Sequence, residues 1–529
     1  MTRLVLLVAA ALSACAAPDG ERYWGQVESH LAELAGAPLV SANWEGRYRP
    51  YVFRDGRFVA LIPPDGAPPE LDLHAPTALS ATELLLSGSE SGKPWFDVFR
   101  WDMPTHTLTN LTATPEIDDG DFCVDPQSRR IAYRAGGRER FAVVAEGTLR
   151  ELPDAGAPAF TSCVFTDADT LVGVARSNTG AALYRCAVGE PGVRCEQRQA
   201  LDDTDDVTRL FRIPPDAVGV VARLRDRPFR RPYRLAPTLD AMTPVALPAP
   251  ARGDVLDSDG TAARYSLHGR YRSSLAPADA ATVFAQRCIG DACWAVVATP
   301  RIPRTLARLE GGRWVPVVHP KIAIPPGIRR PRQVWMRGSS GRAYQAFWFG
   351  PRATEKVVVW WHGGPRESVS PRFNPYFARL NQLGFGVLAV NYPGSTGRGR
   401  SYEARFDDAS LLDCASAVWS HLHARGARYV VSWSVSSGNV AQLVLLRNDF
   451  PLSGIVDQAG WGQVALRIEA ERRGVPVYTI RGRQDVHARS ESEKVDLWYD
   501  GGHDVTLPAQ WTAVMDGVGR FLGGLATAW

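Results

Sequence analysis

Between residues 319 and 332 the chain changes its hydrophobic period, and that change limits what each half can fold into. The stretch holds Pro320, Pro325, Pro326 and Pro331 and reads as an extended linker. Before it, short alternating or apolar runs recur between turn residues, as at 96–101, 130–133, 170–174, 218–221 and 294–297. No run of helical period there is long enough to serve as a crossover. After it, apolar strands at 357–361, 386–391, 429–432 and 477–480 alternate with helical stretches at 375–383, 411–425, 440–447 and 463–473. Such alternation is the mark of a parallel sheet with crossover helices.

The first half carries a loose repeat. Residues 95–112 read as a strand, a short turn and a second strand, and 119–133 as an outer turn, Asp125 to Arg130, feeding another strand. Repeats of this kind suggest propeller blades, and about 300 residues at roughly 40 to 45 per blade allow six or seven of them. A pair of β-sandwiches is the alternative. The expected organisation is a β-propeller over 25–325 followed by an α/β-hydrolase domain over 326–529.

Chemistry concentrates in the second half. The strand at 357–361 runs into His362-Gly363-Gly364-Pro365. Acyl transfer needs backbone N–H groups aimed at a developing oxyanion, and glycines let the backbone approach a substrate closely. Gly363 and Gly364 are the candidates for that role. A second turn, from Asn391 through Pro393 and Gly394 to Gly399, follows the next strand and caps the same sheet edge. Asp485 and His503 each follow a strand near the C-terminus, in the order acid then base. Asp500 and Asp504 are too close to His503 in sequence to be its acid from a separate strand end. His487 is a lesser candidate base, and His421 and His423 sit on a helix as surface or packing residues.

The nucleophile is ambiguous. Where Gly-x-Ser-x-Gly is expected, the chain reads Ser432-Trp433-Ser434-Val435-Ser436-Ser437-Gly438. The residues two before and two after an elbow nucleophile must be small. Ser436 satisfies this with Ser434 and Gly438, and Ser434 less well with Ser432 and Ser436. An ungapped count from Arg428 puts Val435 at the tip, where no nucleophile would exist. All three readings stand at this stage.

The two turns at 362–365 and 391–399 together resemble the prolyl oligopeptidase family, particularly its dipeptidyl peptidase and acylaminoacyl peptidase branches. Trp433-Ser434 is similar to that family's Trp-Ser elbow, 476–485 to its acid loop and 501–503 to its base loop. The resemblance is detailed over about 330–520 and weaker before it. It implies an N-terminal propeller that restricts access, and a serine peptidase using Ser436 or Ser434 with Asp485 and His503 on short or constrained peptides. Asp485 and His503 lie closer in sequence than the family pattern, and the segment from elbow to acid is short. The resemblance therefore also admits an inactive peptide-binding homologue, or an esterase for small acyl esters.

The remaining features bound the setting. Arg3 precedes an apolar run from Leu4 to Leu12 that ends in Leu12-Ser13-Ala14-Cys15, which looks like a bacterial lipobox over a signal segment of 1–15. Acylation at Cys15 would anchor the protein to a membrane of the cell envelope, facing the periplasm. Export makes disulfides reasonable: Cys186 with Cys195 and Cys288 with Cys293 each flank a turn, Cys123 with Cys163 is a weaker pairing, and Cys414 reads as a buried thiol. There is no Cys-x-x-Cys and no His-Glu-x-x-His, so neither metal nor cofactor is expected. A net charge of +4 over 529 residues argues against a nucleic-acid partner.

Overall fold

The computed structural model describes residues 26–527 apart from 64, 91–94, 114–121, 126, 128, 136–137, 146–147, 154–156, 178–179, 190–191, 201–205, 214–216, 225–226, 247–252, 259–261, 269, 320–321, 323–327, 462 and 486–493. Residues 1–25, with the expected leader and Cys15, and His487 lie outside the described residues. Seven antiparallel sheets follow one another at 32–60, 71–110, 122–151, 160–200, 206–244, 254–273 and 282–317, each with its strands in chain order. They are the seven blades of a propeller, the upper of the two numbers that repeat length allowed. The sixth has three strands among the described residues and the others four.

Blade strands alternate or run apolar because both faces of each sheet pack on neighbouring blades. The strand Ala217–Arg223 is buried along nearly its whole length for that reason. Closure of the ring joins the first blade to the seventh through side chains. Val40, Trp44 and Tyr51 share one core cluster with Phe284, Trp294 and Leu306. The Val27 N–H donates to the Arg304 carbonyl at 2.8 Å. Disulfides join Cys123 to Cys163, Cys186 to Cys195 and Cys288 to Cys293. The first links Phe122–Asp125, the first strand of blade three, to Phe160–Asp167, the first strand of blade four. The other two clip hairpins whose cysteines are direct cross-strand partners. Cys414 is a buried free thiol.

The second domain is one eight-stranded sheet: β1 (Arg332–Arg337), β2 (Ala343–Phe349), β3 (Lys356–Trp361), β4 (Gly386–Asn391), β5 (Tyr429–Val435), β6 (Gly454–Gln458), β7 (Val477–Gly482) and β8 (Leu497–Tyr499). Its spatial order is 1-2-4-3-5-6-7-8. β2 runs antiparallel to β1 and β4, and the pairings from β4 to β8 are parallel. Helices cover both faces: α1 (Pro375–Gln382), α2 (Arg400–Glu403), α3 (Asp408–Ala424), α4 (Asn439–Arg447), α5 (Gln463–Arg472) and α6 (Pro508–Thr527). Two apolar clusters sandwich the sheet, one under α3 and α4 around Trp361 and Val359, the other under α1 and α6 around Trp433 and Val358. The alternation of β3 between these clusters is the strand period at work. Among the described residues no helix is long and apolar enough to cross a membrane.

A buried charge cluster fixes how the domains meet. Glu403 of α2, 3% exposed in its side chain, accepts from Arg223 of blade five at 2.8 Å and lies 3.5 Å from Arg230. Arg223 is also 3.2 Å from Asp206, and Arg230 donates through Nε to Asp206 at 2.9 Å and lies 3.7 Å from Asp254. Backbone bonds flank the cluster, from the Arg400 N–H to the Pro228 carbonyl and from the His268 N–H to the Gly397 carbonyl. Removing one member of such a cluster leaves buried charge uncompensated. Glu403→Ala is expected to lower unfolding stability by about 3 kcal/mol, measured by thermal or urea denaturation, whereas loss of the exposed Glu355–Arg428 pair by Glu355→Ala should change it by less than about 1 kcal/mol.

Candidate active site

Parallel strands deliver their C-terminal ends to one edge of the sheet, and the candidate residues gather there. The β5–α4 junction settles where the serines lie. β5 runs one turn of chain beyond the expected strand end, and Val435 is still extended, with φ −121° and ψ 133°, opposite Gln458 of β6. Ser436 then takes φ 48°, and a single 3-10 turn, Ser436–Gly438, leads directly into α4. The tip is Ser436, and the ungapped count that put Val435 there is corrected. It stopped the strand at residue 432, whereas pairing with β6 holds it extended through Val435. A non-glycine residue at positive φ is strained and persists only where its surroundings hold it.

The holding groups are visible. A Cβ added at Gly438 would stand 2.6 Å from the Trp361 carbonyl oxygen and 2.7 Å from that of His362, so the helix start fits against the end of β3 only without a side chain. Ser434 is fully buried and remote from any nucleophilic role. Its hydroxyl donates to Gln442 Oε1 of α4 at 2.8 Å, with Asp457 Oδ1 of β6 at 3.3 Å. Gln442 in turn donates to the Ser432 and Val456 carbonyls, both at 3.0 Å. Asp457 pairs with Arg481 of β7 at 3.3 Å, and Arg481 donates to the Gly460 carbonyl at 2.7 Å. β5, β6, β7 and α4 are thus tied together directly beneath Ser436. None of Gln442, Asp457 and Arg481 was apparent as a site residue, because burial of a polar group leaves no local mark in sequence.

The oxyanion turn abuts the same point. A Cβ on Gly363 would lie 3.4 Å from the Ser436 Cβ, and Gly364 has φ 116°, a conformation that side chains rarely adopt. His362 is no base. Its Nδ1 lies 2.7 Å from the Gly363 carbonyl, which requires a proton on Nδ1, and Nε2 meets the Ser395 hydroxyl at 2.7 Å. Burial pushes its pKa down to about 4, and its ring stacks on Tyr392 at 4.4 Å. The Tyr392 hydroxyl donates to the His362 carbonyl at 2.6 Å, which binds the two candidate turns together. The Ser437 N–H was missed in the sequence. It follows the elbow residue and belongs to the first turn of a helix, where N–H groups lack intrahelical partners.

Acid and base are joined. His503 Nδ1 lies 3.0 and 2.9 Å from the two carboxylate oxygens of Asp485, which is 1% exposed. Their loops are stitched by backbone bonds from Arg483 to Tyr499 and from Gln484 to Gly501. A Cβ at Gly482 would collide with the Gly502 and Gly501 carbonyls, so this short pairing of loops needs a glycine there. The hydrogen bond to Asp485 raises the His503 pKa above its ordinary value, against partial burial, which lowers it. Asp500 instead accepts from the Gln484 side chain at 2.8 Å. His421 and His423 lie on α3, away from this edge. Among the described residues no hydrogen bond joins Ser436 to His503, and no cluster of three metal-ligating side chains occurs. The arrangement offers a strained serine beside a glycine turn, and an imidazole fixed by a carboxylate.

No protein-family model matches the chain, and no curated protein is similar to it. Solved structures are. A puromycin hydrolase in complex with PGG aligns with TM-score 0.75 at 15% identity, covering 96% of both chains. A structure from a study of two prolyl endopeptidases aligns with TM-score 0.74 at 12% identity, over 98% of this chain and 93% of that one. The acylaminoacyl peptidase of Pyrococcus horikoshii aligns with TM-score 0.70 at 11% identity, over 96% and 97%. Over 96% of its length the chain has the fold of the prolyl oligopeptidase family: a propeller followed by an α/β-hydrolase domain.

Proposed function

We propose that this protein is a serine peptidase that cleaves short peptides through an acyl-enzyme on Ser436. The observation that carries the reading is a serine at positive φ on the strand-to-helix turn, with Gly363 against it and the Asp485–His503 pair at the same sheet edge. Ser436 Oγ attacks the scissile carbonyl carbon while His503 Nε2 takes its proton. The Gly363 and Ser437 N–H groups stabilise the oxyanion. As the C–N bond breaks, His503 returns the proton to the leaving amine. Water then attacks the ester by the same route, restoring the serine and releasing the acid. Asp485 keeps the proton of neutral His503 on Nδ1, so that Nε2 is the free base. A propeller over the site favours short chains as substrates. With Cys15 acylated, the enzyme would work at the periplasmic face of the envelope. A serine at the tip, with Val435 extended before it, argues against the inactive-homologue reading.

Hydrolysis of short peptides by purified protein lacking residues 1–15 tests the assignment. Ser436→Ala should lower kcat by about 10⁶-fold. Ser434→Ala should retain most of the activity and instead lower stability by about 1–3 kcal/mol, because Gln442 loses its buried partner. Equal loss in both variants would point away from Ser436.

The pH dependence follows from the base. His503 must be neutral to accept a proton, so kcat/KM should rise with pH along a limb whose midpoint lies above the ordinary histidine value of about 6.5. Asp485→Asn removes the group that raises that pKa and leaves the burial that lowers it. The limb should move to lower pH while kcat falls by roughly 10⁴-fold. A limb that stays in place would show that another group titrates.

A further inference from the structure

Beside the catalytic edge lies a cavity of about 500 Å³ between the two domains, a size that suits a small ligand. Blade one and the segment before it contribute Gln26 and Tyr48, blade seven contributes Arg304, and the hydrolase domain contributes Glu367, Arg372 and Asp504. Glu367 belongs to the turn that contains Gly364, and Asp504 is the neighbour of His503. In the proposed reaction His503 hands its proton to the leaving amine, so a cavity opening next to His503 lies on the side to which the leaving group departs.

The charges in the cavity are not equivalent. Glu367 and Asp504 are exposed residues, and partial desolvation, with the neighbouring Asp504 charge, raises the Glu367 pKa above the ordinary carboxylate value. Arg372 is partly buried in the cavity wall, and its guanidinium lies 4.8 Å from the centre of the Phe284 ring. Arg304 stands over the same ring at 5.4 Å and is oriented by Gln26 Oε1 at 2.9 Å and Ser29 Oγ at 2.5 Å. Among the described residues neither guanidinium has a carboxylate within ion-pair distance. Burial and the facing Arg304 push the Arg372 pKa down to about 10, still far above neutrality, so both groups are cations. Two guanidinium groups over one phenyl ring, neither in an ion pair and with Glu367 acting on Arg372 only from longer range, form a site that a planar carboxylate would complete. Among the described residues the Arg372 guanidinium makes no hydrogen bond, and Arg304, whose Nε and Nη1 are held by Gln26 and Ser29, offers Nη2 to it.

We propose that this cavity is a leaving-side subsite in which Arg372 and Arg304 hold the free terminal carboxylate of a short peptide. The inference rests on the peptidase reading for its place in the reaction, and it narrows the substrate class. Chains whose carboxyl end lies a few residues beyond the scissile bond fit the enclosed space, and blocked or long carboxyl ends do not. Glu367 and Asp504 line the approach and disfavour acidic side chains along it, so that the carboxylate is recognised only at the arginines.

Alanine-rich tetra-, penta- and hexapeptides, each as free acid and as carboxamide, test this on the wild-type protein and on Ser436→Ala. Binding to Ser436→Ala by calorimetry is expected to favour the acid by about 10- to 100-fold. Arg372→Gln in the same background should abolish the preference, and Arg304→Gln should weaken it. Wild-type kcat/KM should show the same ratio. Equal binding of acid and amide overturns the inference whether or not both are cleaved, and leaves the peptidase reading intact. A preference for the acid without turnover upholds the subsite and removes only the peptidase reading. Because the acid-to-amide ratio is read without touching the arginines, a misfolded Arg372 variant does not blunt the test.

Discussion

The chemistry proposed for this protein depends on one strained residue and the close packing that holds it. Ser436 keeps a positive φ because the chain on either side cannot relax. Before it, β5 is hydrogen-bonded on both edges by β3 and β6. After it, Gly438 presses on the carbonyls that end β3. Below it, Ser434, Gln442, Asp457 and Arg481 are joined in a buried hydrogen-bonded network that spans three strands and a helix. Such a network is stabilising only when every member has a partner, so it also fixes one geometry of the turn. The same packing carries the Gly363 backbone to the Ser436 side chain, so the serine and the glycine turn are set by a single contact.

The domain interface builds on that edge. The propeller meets the hydrolase domain through the buried cluster around Glu403 on one side, and on the other through the wall of the cavity that holds Arg304 and Arg372. The first is a closed cluster of two guanidinium groups and three carboxylates, and the second places Arg304, Arg372, Glu367 and Asp504 around an open volume. On the proposed reading, substrate size and substrate charge are both set where the domains meet, while the residues proposed for bond cleavage belong to the hydrolase domain alone.

Much of this was legible in the sequence because period and punctuation are local. The change at the proline-rich linker separated the domains, and the four strands and helices read from the second half all appear in the fold. His362-Gly363-Gly364, Asp485 and His503 were found because each follows an apolar strand. What escaped was set by long-range contacts. β6 is five residues, Gly454–Gln458, too short for its period to distinguish it from a buried loop. The length of β5 is decided by pairing with β6, which is why counting along the chain put Val435 where Ser436 belongs. Gln442, Asp457 and Arg481 look like ordinary surface residues until burial brings them together. Arg372 and Arg304 are 68 residues apart in sequence and in different domains, and only the fold makes them neighbours.

The central claim is that Ser436, among three serines within four residues of one another, is the reactive one. Mass-spectrometric mapping of the protein after reaction with a fluorophosphonate tests it most directly. The account predicts a single phosphonyl group on the tryptic peptide 429–447, which fragmentation places on Ser436. A modification on Ser434 or Ser437, or none on the well-folded protein, would contradict it.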